Sequence, residues 1–118
     1  MGMTTIPSKI FNAADLSHSA EVEFVVDSGA VYSVVPRTVL ESLGIEVQHR
    51  RRFYTADGRP MDRDMAFAVF EYNGERTATT VIVGEEGDSS LMGVVTLEEF
   101  GFTFDPIRRE LRPIVMRI

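Results

Sequence analysis

Short apolar runs broken by Gly, Pro, Asp and Asn dominate this chain, a pattern of strands and tight turns rather than of long helices. Residues 3–11 (MTTIPSKIF) read as β, and Pro7 favours an edge or terminal strand over a central one. A turn follows at 12–15 (NAAD), and residues 20–26 form a strand whose apolar end, Phe24-Val25-Val26, runs into Asp27. Asp27–Ala30 is a turn and 31–35 (VYSVV) a short extended piece. Pro36 suits the first turn of a helix, Leu40 and Leu43 give it an apolar stripe, and Gly44 stops it. From Ile45 the chain predicts long strands, with Asp57-Gly58 and Asn73-Gly74 as hairpin turns between them. Residues 84–90 (GEEGDSS) form a polar loop, and Thr96-Leu97-Glu98-Glu99 reads as a capping box opening a second short helix that Gly101 ends. FTFDP and ELRPIVMRI close the chain as strands around a turn at Pro106–Arg109. The expected fold is mostly β with one or two short helices. LESLGI at 40–45 and LEEFGF at 97–102 share one pattern, which raises a structural half-repeat with a similar helix on each half.

Composition narrows the chemistry. At 118 residues the chain is expected to be a single domain over 1–118, able to bury a core without metals or disulfides. With no cysteine there is no thiol nucleophile, disulfide framework or Cys-based zinc site. A net charge of −6 speaks against nucleic acid or an anionic membrane as the partner. No stretch approaches a membrane span or a signal-peptide core, so a cytoplasmic location is the default. The start MGMTTI mimics a myristoylation signal, but Ile6 stands where that signal needs Ser or Thr.

Asp27 is the position that composition does not explain. Burying a carboxylate at the end of an apolar strand is costly unless it is paired or protonated. Asp-Ser-Gly alone is ordinary turn chemistry, yet a surface turn would sit among polar neighbours, and this one lies between Phe24-Val25-Val26 and Ala30-Val31. With VVDSGAVYSVVP at 25–36, YTADGRPM at 54–61, LMG at 91–93 and LEEFGFTFDP at 97–106 followed by Leu111 and Pro113, the chain resembles the retropepsin-like aspartic proteases, in particular their small single-domain prokaryotic members. The resemblance spans about residue 5 to residue 113.

That resemblance implies a single-lobe acid-protease fold active as a two-fold homodimer, since the chain carries one Asp-Ser-Gly. Asp27, Ser28 and Gly29 would be catalytic, with two Asp27 carboxyls sharing a proton and activating a water against a peptide bond in an extended or unfolded polypeptide. No metal and no cofactor is called for. Ala30 and a hairpin of Tyr54, Thr55, Ala56, Asp57 and Gly58 would bind substrate, and Leu91, Met92 and Gly93 would form the structural second motif. Ala30 offers no hydroxyl to the dyad, which moves expected activity toward neutral pH. Terminal strands TTIPSKIF and PIVMRI would interleave in the dimer. The chain departs from the retroviral pattern at Val31 and Val94, where an Asp and an Arg usually form a charged brace. The alternative on the same fold is a non-catalytic or latent dimeric peptide-binding module.

Other features read more plainly. Arg50-Arg51-Arg52 would alternate across a strand, as a solvated strand or subsite lining rather than a nucleic-acid patch. His18 and His49 have no ligand spacing, and Glu85-Glu86-Gly87-Asp88 lacks the pattern of a calcium loop. Phe100, Phe102 and Phe104 are expected in the core.

Overall fold

A computed structural model describes residues 3–118. Met1 and Gly2, and the N-terminal Met-Gly of the myristoylation pattern with them, lie outside the described residues. The strands are β1 (Thr5–Asn12), β2 (Asp15–Val26), β3 (Ser33–Pro36), β4 (Val47–Tyr54), β5 (Pro60–Tyr72), β6 (Glu75–Gly84), β7 (Leu91–Met92), β8 (Phe102–Asp105) and β9 (Glu110–Pro113). Two helices of six residues each, α1 (Arg37–Ser42) and α2 (Val94–Glu99), complete the fold.

Seven strands form one sheet in the order β1-β2-β7-β3-β6-β5-β4, and β1 also pairs with β5 through Lys9–Phe11, which curls the sheet onto itself. Alternation along the strands decides the inner face: Ile6, Ile10, Val22, Phe24, Phe70, Val81 and Val83 point inward, joined by Leu40 of α1, Met92 of β7 and Leu97 of α2. Phe24 and Phe70 are fully buried with ring centroids 5.4 Å apart, each burial being worth about 1.5–3 kcal/mol. Phe100 is buried, and Phe102, Phe104 and Leu111 pack the separate β8–β9 hairpin against this core. Pro7 lies where β1 has β2 as its only neighbour, which leaves its missing N–H without consequence.

Several local expectations shift. β2 begins at Asp15 rather than at residue 20, because its first arm is a two-sided polar hairpin ribbon with no apolar alternation to mark it. α2 opens at Val94 with Gly93 as N-cap, so Thr96 is not a cap but an interior, fully buried residue. Within the chain β1 pairs with β2 along its length and with β5 only through Lys9–Phe11, so among the described residues Thr5–Ser8 keep one open edge, and the last strand ends at Pro113 rather than running on to Ile118. The half-repeat is visible: each six-residue helix follows a short strand and ends at a left-handed glycine, Gly44 at φ +68° and Gly101 at φ +82°. No helix among the described residues is long and apolar enough to cross a membrane.

Candidate active site

Asp27 immediately follows β2, and the loop from Asp27 to Tyr32 leads into β3. β7 is wedged between these two strands, parallel to β2 through Val25↔Leu91 and Val26↔Met92, and antiparallel to β3 at Val34↔Leu91. The loop is therefore held from below by the second apolar motif. Asp27 donates its backbone N–H to the Met92 carbonyl at 3.1 Å, and Val25 donates to Ser90 at 2.9 Å.

α2 completes the anchor. Its first two N–H groups, which have no partner within the helix, are taken by the loop: Val94 donates to the Ala30 carbonyl at 2.8 Å and Val95 to the Val31 carbonyl at 3.0 Å. Beneath them Ser33 and Thr96 are both fully buried, with their hydroxyls 2.6 Å apart, and Ser33 Oγ also accepts the Gly93 N–H at 3.0 Å. Gly93 is required there, since a Cβ would stand 2.6 Å from the Tyr32 carbonyl carbon and oxygen. Ser33 is not singled out by the sequence, and Thr96 only as a helix cap. Their only signal is a hydroxyl in each of two apolar segments, and the pairing spans 63 positions.

On this base the carboxylate is presented outward. Asp27 is half-buried, Ser28 and Gly29 are exposed, and Ala30 is half-buried. Asp27 Oδ1 accepts the Gly29 N–H at 2.9 Å, and no cation among the described residues stands within ion-pair distance of it. A Cβ on Gly29 would lie 3.2 Å from that same oxygen, so glycine keeps the carboxylate unobstructed. Val31, where a charged brace residue was lacking, is 60 % exposed beside it, and Val94 is half-buried.

The hairpin of β4 and β5 meets the end of the loop at Tyr32. Its base is fixed to it: Phe53 meets Tyr32 edge to face at 6.3 Å, and Arg51 Nη1 donates to Tyr32 Oη at 2.7 Å. Its tip is a three-residue turn in which Thr55 N–H donates to Arg59 and Gly58, at φ +85°, takes the left-handed position. Tyr54 is 68 % exposed, Ala56, Asp57 and Gly58 are exposed and Thr55 half-buried. The Thr55 hydroxyl holds the Asp57 carboxyl below its ordinary range. No hydrogen bond or ion pair among the described residues joins Tyr54–Gly58 to Asp27–Ala30, so the structure brings the first and second motifs together and leaves the hairpin tip apart. Beside the hairpin, against β3, β6 and β7, lies an apolar cavity of about 150 Å³ lined by Val34, Phe53, Met61, Ile82 and Leu91 together with Arg63, Asp88 and Ser89.

Ion pairs fix the approach to β7. Arg63 grips Asp88 through two hydrogen bonds of 2.9 and 3.1 Å, and Arg37 spans Glu85 and Asp64. The Arg37 guanidinium holds the Asp64 and Glu85 carboxyls below their ordinary values, and Arg63 does the same for Asp88. The expected alternation of Arg50–Arg52 is present: Arg50 and Arg52 pair with the cross-strand Asp64 and Asp62, while Arg51 turns to Tyr32. His18 and His49 are exposed.

A family model described as "gag-polyprotein putative aspartyl protease" matches residues 12–99. Among solved structures, the fold is similar to the EIAV protease complexed with the inhibitor HBY-793, at 16% identity and TM-score 0.60, covering 85% of this chain and 89% of that one. It is also similar to a retropepsin-like aspartic protease from Rickettsia conorii, at 24% identity and TM-score 0.51, covering 91% of this chain and 88% of that one. No curated protein sequence matches.

Proposed function

The chain belongs to the retropepsin-like, gag-polyprotein aspartyl protease family, and from that premise we propose that it is a homodimeric aspartic endopeptidase acting, as one domain, on extended or unfolded polypeptides. The observation that carries this is the Asp27 carboxylate, half-exposed, with one backbone amide as its partner, in a loop anchored from below by β7 and α2. A lone half-buried carboxylate on so fixed a base has no evident purpose within one chain. A second Asp27 across a two-fold axis supplies one.

Two such carboxyls cannot both ionise at low cost, so the pair retains one proton. The ionised member takes a proton from a water as its oxygen attacks the peptide carbonyl carbon, and the protonated member donates to the carbonyl oxygen. As the gem-diol collapses it returns that proton to its donor, the other carboxyl passes the proton taken from water to the amide nitrogen, and the C–N bond breaks to leave an acid and an amine. Ser28 hydroxyls bond across the axis and hold the two loops together. The Gly29 carbonyl accepts a substrate N–H, and the Tyr54–Gly58 tip folds over the bound chain, excluding water.

The test is cleavage of denatured casein by the wild type and by Asp27→Asn, from acidic to neutral pH, with products identified by mass spectrometry. Cleavage that vanishes in the variant is expected. Equal activity in both proteins would mean a contaminant, and no cleavage by a confirmed dimer would favour a peptide-binding module.

A further inference from the structure

We propose that Arg51 is a specificity-determining residue that selects an acidic side chain in the bound peptide, next to the aliphatic side chain that fills the cavity beside the hairpin. This rests on the cleft being a peptide channel, as above.

Of the three consecutive arginines, Arg50 and Arg52 are neutralised by Asp64 and Asp62 directly opposite them. Arg51 faces the other way. Opposite it stands Arg63, a like charge that its bidentate grip on Asp88 satisfies. Arg37, Arg59, Arg76 and Arg112 also have carboxylate partners. Among the described residues Arg51 is the one cation of the β4–β5 hairpin without a carboxylate, in a chain whose net charge is −6.

Its position is set by the site. The guanidinium lies 5.7 Å from the Tyr32 ring centroid and donates to the phenol, five residues beyond Asp27. Phe53, on the same face of β4 two residues on, packs against Tyr32 and lines the cavity with Val34 and Leu91. The side chain is thus held in one orientation before any ligand arrives, which lowers the ordering cost of binding. One of its five N–H donors is engaged by Tyr32 Oη, and that hydroxyl keeps its own hydrogen to give. A carboxylate placed between them gains a bidentate guanidinium contact and a phenol hydrogen bond, a geometry that lysine would not reproduce. A lysine or arginine side chain of the peptide meets a like charge instead.

The probe is a set of synthetic decapeptides with a Leu-Ala-Phe centre, in which a single Glu is walked along the remaining positions with Gln as its neutral match. Two readouts are used: kcat/KM with the wild type, and fluorescence-anisotropy binding to the uncleaving Asp27→Asn chain. At one position Glu should exceed Gln by about tenfold in both, the effect of one charge-assisted contact. In Arg51→Ala the Glu/Gln ratio should fall to about one, in Arg51→Glu a Lys peptide should become the preferred one, and Tyr32→Phe should reduce the ratio less than Arg51→Ala. Arg112→Ala, in the β8–β9 hairpin, should keep it. A ratio near one at every position in the wild type, or a ratio unchanged in Arg51→Ala, overturns the proposal while Asp27-dependent cleavage still stands. Glu selection in binding without any cleavage would uphold it and reject the protease.

Discussion

A methyl group at position 93 has nowhere to go, since it would press on the Tyr32 carbonyl at 2.6 Å and the Val31 oxygen at 2.8 Å, both backbone atoms. Gly93→Ala is therefore expected to destabilise the chain by about 1–3 kcal/mol in urea melts and to lower cleavage further by displacing the Asp27 loop. Wild-type stability in that variant would contradict the anchoring described. Position 30 tests the proposed dyad more gently. A hydroxyl there donates to the ionised carboxylates and favours their charged form, so Ala30→Ser should move the pH profile of cleavage toward acid. An unchanged profile would remove Ala30 from the account. Asp27 and Gly93 were legible in sequence because each is the odd residue in an apolar run. Ser33 with Thr96, and Arg51 with Tyr32, were not, because each pair is made by strands and loops that only the folded topology brings together.

The elements carry their own pH dependence. Arg37 holds Asp64 and Glu85 below the ordinary values of 3.8 and 4.5, and Arg63 holds Asp88 below 3.8. A carboxyl whose folded value is depressed contributes stability that is present above its unfolded value and is lost as pH falls through the folded one. The melting temperature at low salt should therefore be flat from pH 7 to about pH 5 and fall below about pH 4, less steeply when salt screens the pairs. A flat profile down to pH 3 would show that the network tying the Glu85–Ser90 loop to α1 and β5 contributes nothing. Hairpins were the most legible elements: Asn73-Gly74 has φ of +51° and +79°, as a two-residue type I′ turn needs, and Asp57-Gly58 marks the other turn although only Gly58 is left-handed. Element ends were less so. The polar first arm of β2 has no periodicity to read, and α2 starts two residues before Thr96 because loop carbonyls, not a side chain, cap it.

At the scale of the molecule, the Asp27 loop holds one carboxylate of a proposed two; Val31 of that loop is exposed, as are Val115, Met116 and Ile118 at the other end of the chain. The central claim is that peptide hydrolysis needs an Asp27 from each of two chains. It is tested most directly by mixing wild-type and Asp27→Asn protein in varying proportion at fixed total concentration, after exchange of subunits, and following cleavage of a fluorogenic peptide. If mixed dimers are inactive, activity falls as the square of the wild-type fraction, to about one quarter in an equal mixture. Activity proportional to the wild-type fraction, about one half in the same mixture, would mean that each chain works alone and would contradict the shared site.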